Sequence, residues 1–429
     1  MIFFLLIVIA LIAAVTSFTL PWVSIIAYNV MSIMQPQSIW FWAFQDFPVF
    51  KIFAGLSLFS FIIAILKKKV DLKSLKNSQN YAVLSIFILC YLSVLFSPFS
   101  TYTAYLSSDL ILSNLNIIVL FYFVSQLILN KDESYIKYMI FGFMFVIIYY
   151  VYWSNSAYFS FDFSKFNNGR LQGPNHGPYH DENKFATVFV IGLPFFMFAF
   201  FYAKKIYLKI AIALIGPLLL HSIFLTGSRG ALLAVGITVL MTSKMIKSKK
   251  FSIILLVAFF AAVAFQASTT LNRSEESVNA AQSKQEVNPR IRSWTIGLNI
   301  IKEYPILGVG IQRFQYASRL LFPEYNSGYV AHNTFLQIAA ESGLLSGLLY
   351  LYIYYFNYKQ YKKAVRNNVS DYPFLDYANK SIFVSLTGFY VCSIFLNLLI
   401  FEGFYFLLML STSTHFLLNK KIGQKRQVK

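Results

Sequence analysis

Residues 184–202 read KFATVFVIGLPFFMFAFFY, a stretch in which Lys184 is the only charge and Pro194 the only helix-breaking residue besides Gly192. A helix needs roughly 20 apolar residues to cross the hydrocarbon core of a bilayer, so this stretch has the length of one crossing. Lys204, Lys205 and Lys209 follow it, and a second run of the same kind occupies 206–225. The turn Thr226-Gly227-Ser228-Arg229-Gly230 leads to a third run, 230–245, which ends among Lys244, Lys247, Lys249 and Lys250. Lysine clusters and a lone arginine alternate from one junction to the next. That is the pattern of a chain that crosses and recrosses a membrane.

Outward from this centre, apolar runs occupy 3–19, 21–34, 50–66, 81–97, 110–129 and 136–153 on one side, and 251–268, 335–356, 380–400 and 403–418 on the other. The expected fold is an all-α polytopic membrane protein of 12 or 13 transmembrane helices. The chain of 429 residues is 57% hydrophobic and 12% charged, too apolar for a single soluble core. Pro21 and Pro36 bracket the short second run, so the first two runs suit a tight hairpin. The first run lacks the basic start of a signal peptide and reads as an anchor. Cys90 and Cys392 both fall inside apolar runs and imply no disulfide framework.

The net charge of +19 is mainly a topology signal. Lysine clusters at 67–76, 131–137, 204–209, 244–250, 359–380 and 420–429 fall on one side if the runs alternate, and the positive-inside rule makes that side cytoplasmic. This distribution argues against nucleic acid as a partner. The opposite, periplasmic side receives 35–49, 98–109, 154–183, 226–229, 269–334 and 401–402, with Arg170, Arg229, Arg273, Arg290, Arg292, Arg313 and Arg319. Arginine offers a permanently charged planar fork that grips phosphate at two points. An anionic substrate on that side is the simplest reason for the bias.

No internal repeat or low-complexity tract is visible. The chain divides into an N-terminal membrane segment 1–153, a long loop 154–183, central helices 184–268, a large loop 269–334, and C-terminal helices with a basic tail, 335–429. Within the large loop, 269–288 is polar and expected to be mobile. From Pro289 the spacing of Ile291, Trp294, Leu298 and Ile301 predicts an amphipathic helix lying along the membrane surface, which Tyr304-Pro305 ends. Gly308 and Gly310 then make a turn before Arg313.

Several residues could carry chemistry. His332, in Ala331-His332-Asn333-Thr334, stands where the polar loop becomes helical, either as a base toward a hydroxyl or as an interfacial residue beside a helix start. Arg229 sits between two glycines at the start of a helix, a place suited to phosphate, although a snorkelling arginine occupies the same kind of position. Arg290 and Arg292 are placed to reach a lipid phosphate. The segment Gly169 to Asn183 gathers Arg170, His176, His180, Asp181, Glu182 and Asn183 before a helix, as a sugar-binding rim or, less simply, a cation site.

The run from Arg290 through Trp294, Pro305, Gly308-x-Gly310, His332-Asn333 and Glu341-x-Gly343 resembles the signature region of the O-antigen ligase and polymerase family, as does Gly227-Ser228-Arg229-Gly230. Pro21-Trp22-Val23, Met34-Gln35-Pro36, Gly173-Pro174 and Asp181 to Ala186 are also similar to the O-glycosylation ligases of exosortase A systems. Glu182 departs from the Asn expected in that subgroup. The resemblance implies a metal-independent, inverting glycosyltransferase without cofactors, in the bacterial inner membrane, whose site faces the periplasm. Its donor would be an undecaprenyl-pyrophosphate-linked glycan and its acceptor a hydroxyl of lipid A core, protein or another glycan. Arg229, Arg290 and His332 would be catalytic. Arg170, Asn183, Arg292, Arg313, Asn333 and Glu341 would bind substrate, with a helix-packing role for Glu341 equally open. A repeat-unit polymerase and a lipid-linked glycan transporter are the competing readings.

Overall fold

The computed structural model describes residues 2–17, 19–44, 49–99, 108–246, 248–265, 289–323, 330–367 and 369–427. The stretch 269–288, expected to be mobile, lies outside the described residues. In chain order the helices are α1 (Ile2–Ser17), α2 (Pro21–Met34), α3 (Pro36–Ile39), α4 (Phe41–Phe44), α5 (Val49–Leu66), α6 (Ser78–Leu95), α7 (Ser108–Leu129), α8 (Glu133–Phe159), α9 (Glu182–Tyr202), α10 (Ile206–Thr226), α11 (Arg229–Met245) and α12 (Lys249–Phe265). There follow α13 (Pro289–Glu303), α14 (Phe314–Leu321), α15 (Thr334–Ser342), α16 (Leu344–Arg366), α17 (Pro373–Ser393) and α18 (Glu402–Gln427). A two-stranded hairpin, β1 (Phe166–Asn167) and β2 (Arg170–Leu171), interrupts the helices between α8 and α9.

The protein is an all-α polytopic membrane protein. Among the described residues six helices, α5 to α10, are long and apolar enough to cross a membrane by length and composition. Further helices of the 12 or 13 expected pack beside these six, among them α11 and α12, which run for 17 residues each. Helices α16, α17 and α18 are long enough but carry polar residues that bond inside the bundle. Asn357 of α16 donates to Gln79 of α6, Ser411 of α18 donates to Asn357, and His415 of α18 is 2.9 Å from Asn379 of α17. Away from water each polar group needs such a partner. Outward-facing apolar side chains supply the complementary surface, with Leu214 at 66% and Ile253 at 61% exposure. Helices α1 and α2 pack against each other, as expected of a hairpin.

Helix α9 is the centre of the bundle. Its apolar window is 83% buried, against 22% for the neighbouring α10. It packs on α8, α10, α11 and α17. Close approach to α17 needs a small residue there. A Cβ on Gly388 would lie 2.8 Å from both Val190 Cγ1 and Thr238 Cγ2.

Two expected elements differ in detail. The run 335–356 is broken at Gly343, whose φ of +91° suits glycine and ends α15 before α16 begins. The turn after α13 is zipped onto this break. Val309 N–H donates to Ala340 O at 2.9 Å, Gly310 N–H to Glu341 O at 2.9 Å, and Leu344 N–H to Pro305 O at 2.8 Å. A Cβ on Gly343 would fall 1.9 Å from Ile306 O. The amphipathic helix α13 ends before Tyr304 as expected, but its inner face is Ser293, Ile296, Gly297 and Ile300, packed toward α15. Ile291 and Leu298 stay exposed, so only part of the anticipated apolar stripe is available to lipid.

Candidate functional site

Polar groups from four separated parts of the chain meet around one cleft of about 470 Å³. The first is the hairpin. Asn168 and Gly169 both have positive φ, at 49° and 68°, as a two-residue turn joining paired strands requires. This turn places Arg170 at the cleft. Its Nε donates to Thr226 O at 2.9 Å and its Nη2 to Asn183 Oδ1 at 2.9 Å, while its Nη1 pairs with Glu182 Oε1. Asp181 caps α9, accepting from Asn183 N–H at 3.0 Å and Lys184 N–H at 2.9 Å. The acidic pair is thus engaged with its own surroundings, one carboxylate with a helix start and the other with a guanidinium. His176 lies 5.7 Å ring to ring from Phe41. Among the described residues no group of three or more His, Cys, Asp or Glu side chains is arranged to hold a metal ion.

The second part is the α10–α11 turn. Gly227 takes φ +61° to end α10, and Ser228 caps α11, accepting from Ala231 N–H at 3.4 Å. Arg229 is therefore the first residue of α11 and is exposed at the cleft. No carboxylate pairs with it among the described residues. Gly230 has no room for a side chain, since a Cβ would lie 2.9 Å from Phe395 Cδ2. The third part is the start of α13, where Arg290 lines the cleft with its guanidinium 5.6 Å from the Phe395 ring centre. Burial, then the charges of Arg229 and Arg170, weaken the basicity of Arg290. Three arginines thus share one electrostatic neighbourhood. The fourth part is the irregular stretch after α17, whose Phe395 and Leu396 form one wall.

Residues 214–351 match a family model described as O-antigen ligase. This part of the chain is similar to the O-antigen ligase family. No curated protein gives a significant match to the chain. The similarity supports, in general terms, a glycan-transfer function of the O-antigen ligase and polymerase type.

Within the matched region, His332 stands just before α15 with φ +45°, an uncommon conformation for a residue with a side chain. Asn333 caps α15, its Oδ1 accepting from Leu336 N–H at 3.1 Å. Thr334 Oγ1 donates to Leu396 O at 2.7 Å and accepts from Leu398 N–H at 3.1 Å, which joins the start of α15 to the cleft wall. His332 is not among the cleft-lining residues, but it lies within the electrostatic reach of Arg290 and Asp181. Burial and then Arg290 push its pKa below the ordinary histidine value, with Asp181 opposing them. A lowered pKa favours the neutral imidazole, the form able to accept a proton.

The remaining expected site residues within the matched region are elsewhere. Arg292, two positions beyond Arg290 on α13, does not line the cleft. Arg313 begins α14 at 8% exposure, and its Nε and Nη1 have no hydrogen-bond partner among the described residues. Burial works against its charge and Asp109 works for it. Glu341 is 1% exposed and holds the interior together, accepting from Gln337 Nε2 and, at 3.4 Å, from Phe314 N–H. Gln337 Oε1 in turn accepts from Ala331 N–H at 3.1 Å, beside His332. These geometries favour the packing alternative for Glu341 and a capping role for Asn333. Sequence reasoning missed Phe395 and Leu396, because they fall inside an apolar run. It also missed the aromatic wall of Tyr158, Phe163, Phe166 and Phe224.

Proposed function

We propose that the arginine cleft binds the pyrophosphate of an undecaprenyl-pyrophosphate-linked glycan at the periplasmic face of the inner membrane, and that His332 activates the acceptor hydroxyl. The observation that carries this reading is the convergence of Arg170, Arg229 and Arg290 on one cleft, with His332 outside its lining but within the electrostatic reach of Arg290. The acceptor oxygen forms a bond to the anomeric carbon, and the bond from that carbon to the pyrophosphate oxygen breaks. His332 takes the hydroxyl proton, and the lipid pyrophosphate leaves with the electron pair. Attack from the side opposite the leaving group inverts the anomeric centre.

Each residue has a physical task. Negative charge grows on the departing phosphate oxygen, so donors already aimed at it favour the transition state over the bound donor. Arg229 contributes both a guanidinium and the first turn of α11, whose free N–H groups favour an anion. Arg170 is held in place by Thr226 and Asn183. Arg290 is steered by Phe395. The aromatic residues of the cleft suit sugar rings and the first isoprene units of the lipid.

The test is a reconstituted transfer assay with purified lipid-linked glycan, followed by the mass of the product. Transfer lowered about a thousandfold by His332→Ala and about a hundredfold by Arg229→Ala, with both variants inserted in the membrane, is the expected result. Transfer at the wild-type level by the His332 variant would remove the base assignment. The product mass separates a ligase, which adds glycan to lipid or protein, from a polymerase, which lengthens the glycan.

A further inference from the structure

A second cleft of about 530 Å³ lies at the opposite end of the bundle. The helices themselves establish the separation. Tyr158 near the end of α8 lines the arginine cleft, whereas Glu133 at its start lines the second one. Helix α9 likewise runs from Asn183 at the first to Tyr202 at the second. At 1.5 Å per residue, the 27 residues of α8 put about 40 Å between them.

This second cleft is lined by Lys131, Lys137, Lys420 and Lys421, and no arginine contributes. Its two carboxylates are already committed. Glu133 pairs with Lys421, whose Nζ also lies 5.1 Å from the Tyr372 ring centre, and Asp132 caps α8 by accepting from Ser134 N–H at 2.7 Å. Lys131 and Lys420 have no carboxylate partner among the described residues. Lys131 is further crowded by the charge of Lys69, which together with burial weakens its basicity. Tyr202, Phe374 and Leu417 complete the lining with an apolar side. The cleft therefore joins uncompensated positive charge to an apolar wall, at a lysine-rich end that the positive-inside rule assigns to the cytoplasm.

We propose that this cleft holds the phosphodiester headgroup of an anionic phospholipid of the cytoplasmic leaflet, with Lys131 and Lys420 at the phosphate and Phe374 and Leu417 beside the first acyl carbons. Free phosphate has no use for the apolar wall. Basic pockets between membrane helices favour anionic lipid by charge and by the shared depth of headgroup and lysine. A lysine also tolerates the variable position of a headgroup better than a rigid guanidinium fork does. The site is independent of the glycan chemistry at the other end.

The test uses the full chain reconstituted in phosphatidylcholine vesicles containing a minor fraction of phosphatidylglycerol, then released into the gas phase to weigh the lipids that remain bound. The wild-type protein is expected to retain phosphatidylglycerol in preference to phosphatidylcholine. The double variant Lys131→Gln/Lys420→Gln should lower that retention about twenty-fivefold, from about fivefold per lysine. The charge-preserving Lys131→Arg/Lys420→Arg should keep most of it. Unchanged retention in the glutamine variant overturns the proposal, and so does equal loss in the arginine variant, which would indicate damage to packing rather than lost charge. Displacement of the bound lipid by inorganic phosphate would assign the cleft to a free anion and overturn the lipid.

Discussion

The two ends of α8 and α9 differ in the cation they present and in the kind of structure that presents it. At one end Arg170, Arg229 and Arg290 come from a hairpin, a glycine turn and a short surface helix. At the other, the lysines sit on or beside the ends of long helices. A lysine at a helix end needs only to reach the headgroup region. A guanidinium that must meet a phosphate at a fixed angle needs a backbone that fixes it. The non-helical connections of this protein are accordingly concentrated where the arginines are.

The largest effect expected at the arginine end belongs to His332. If it is the base, His332→Ala lowers kcat about a thousandfold, within the usual range for positioned proton transfer. If it only marks the start of α15, the loss is confined to stability, and single-turnover assays of the inserted protein distinguish the two. Arg229→Ala is expected to cost about a hundredfold in kcat, as removal of one donor to developing charge does. Arg229→Lys should recover only part of it, because a point charge lacks the fork. An intact rate in Arg229→Lys would reduce the contrast between the two ends to charge alone.

A smaller effect is expected at Arg170. Its guanidinium keeps Thr226 O and Asn183 Oδ1 as partners when Glu182 is neutralised. Glu182→Gln should therefore leave Arg170 in place while strengthening its pull on an anion. The expected result is a donor KM lowered about fivefold, the worth of about 1 kcal/mol at a partly exposed charge pair. A raised KM would mean that Glu182 positions Arg170 rather than offsetting it.

How much of this was legible follows the same division. Hydropathy located the long helices and the lysine sides because both depend on the local run of residues. It did not show how Asn357, Asn379 and His415 would be satisfied, because their polar partners on other helices meet them only after folding. At the site, glycine spacing pointed to Arg229, and the family resemblance alone pointed to Arg290. The turn Asn168-Gly169 is a strong hairpin signal that would have placed Arg170, and it sits among polar residues that read equally well as a loop. Phe395 was not legible, because an apolar residue that stacks on Arg290 looks the same in sequence as one that faces lipid. Glu341 shows the converse case, a charged residue in a signature whose task is to hold α14 and α15 together.

The smallest effect is also the most selective. Burial and then the charge of Arg290 lower the pKa of His332, and the charge of Asp181 raises it. Only the neutral imidazole can accept a proton, so the acid limb of kcat/KM follows this pKa. Removing the negative charge with Asp181→Asn lowers the pKa further and moves the limb to lower pH. The asparagine can still cap α9, so stability should change little, whereas Asp181→Ala also loses the cap, at about 1 kcal/mol. Replacing the cation with Arg290→Gln raises the pKa and moves the limb to higher pH, on top of whatever rate is lost. Opposite shifts in the two variants, read from pH profiles of the residual activity, are expected only if the titrating group lies between these charges. A limb that stays put in both would take the titration away from His332, and with it the one group that distinguishes the arginine end chemically as well as electrostatically.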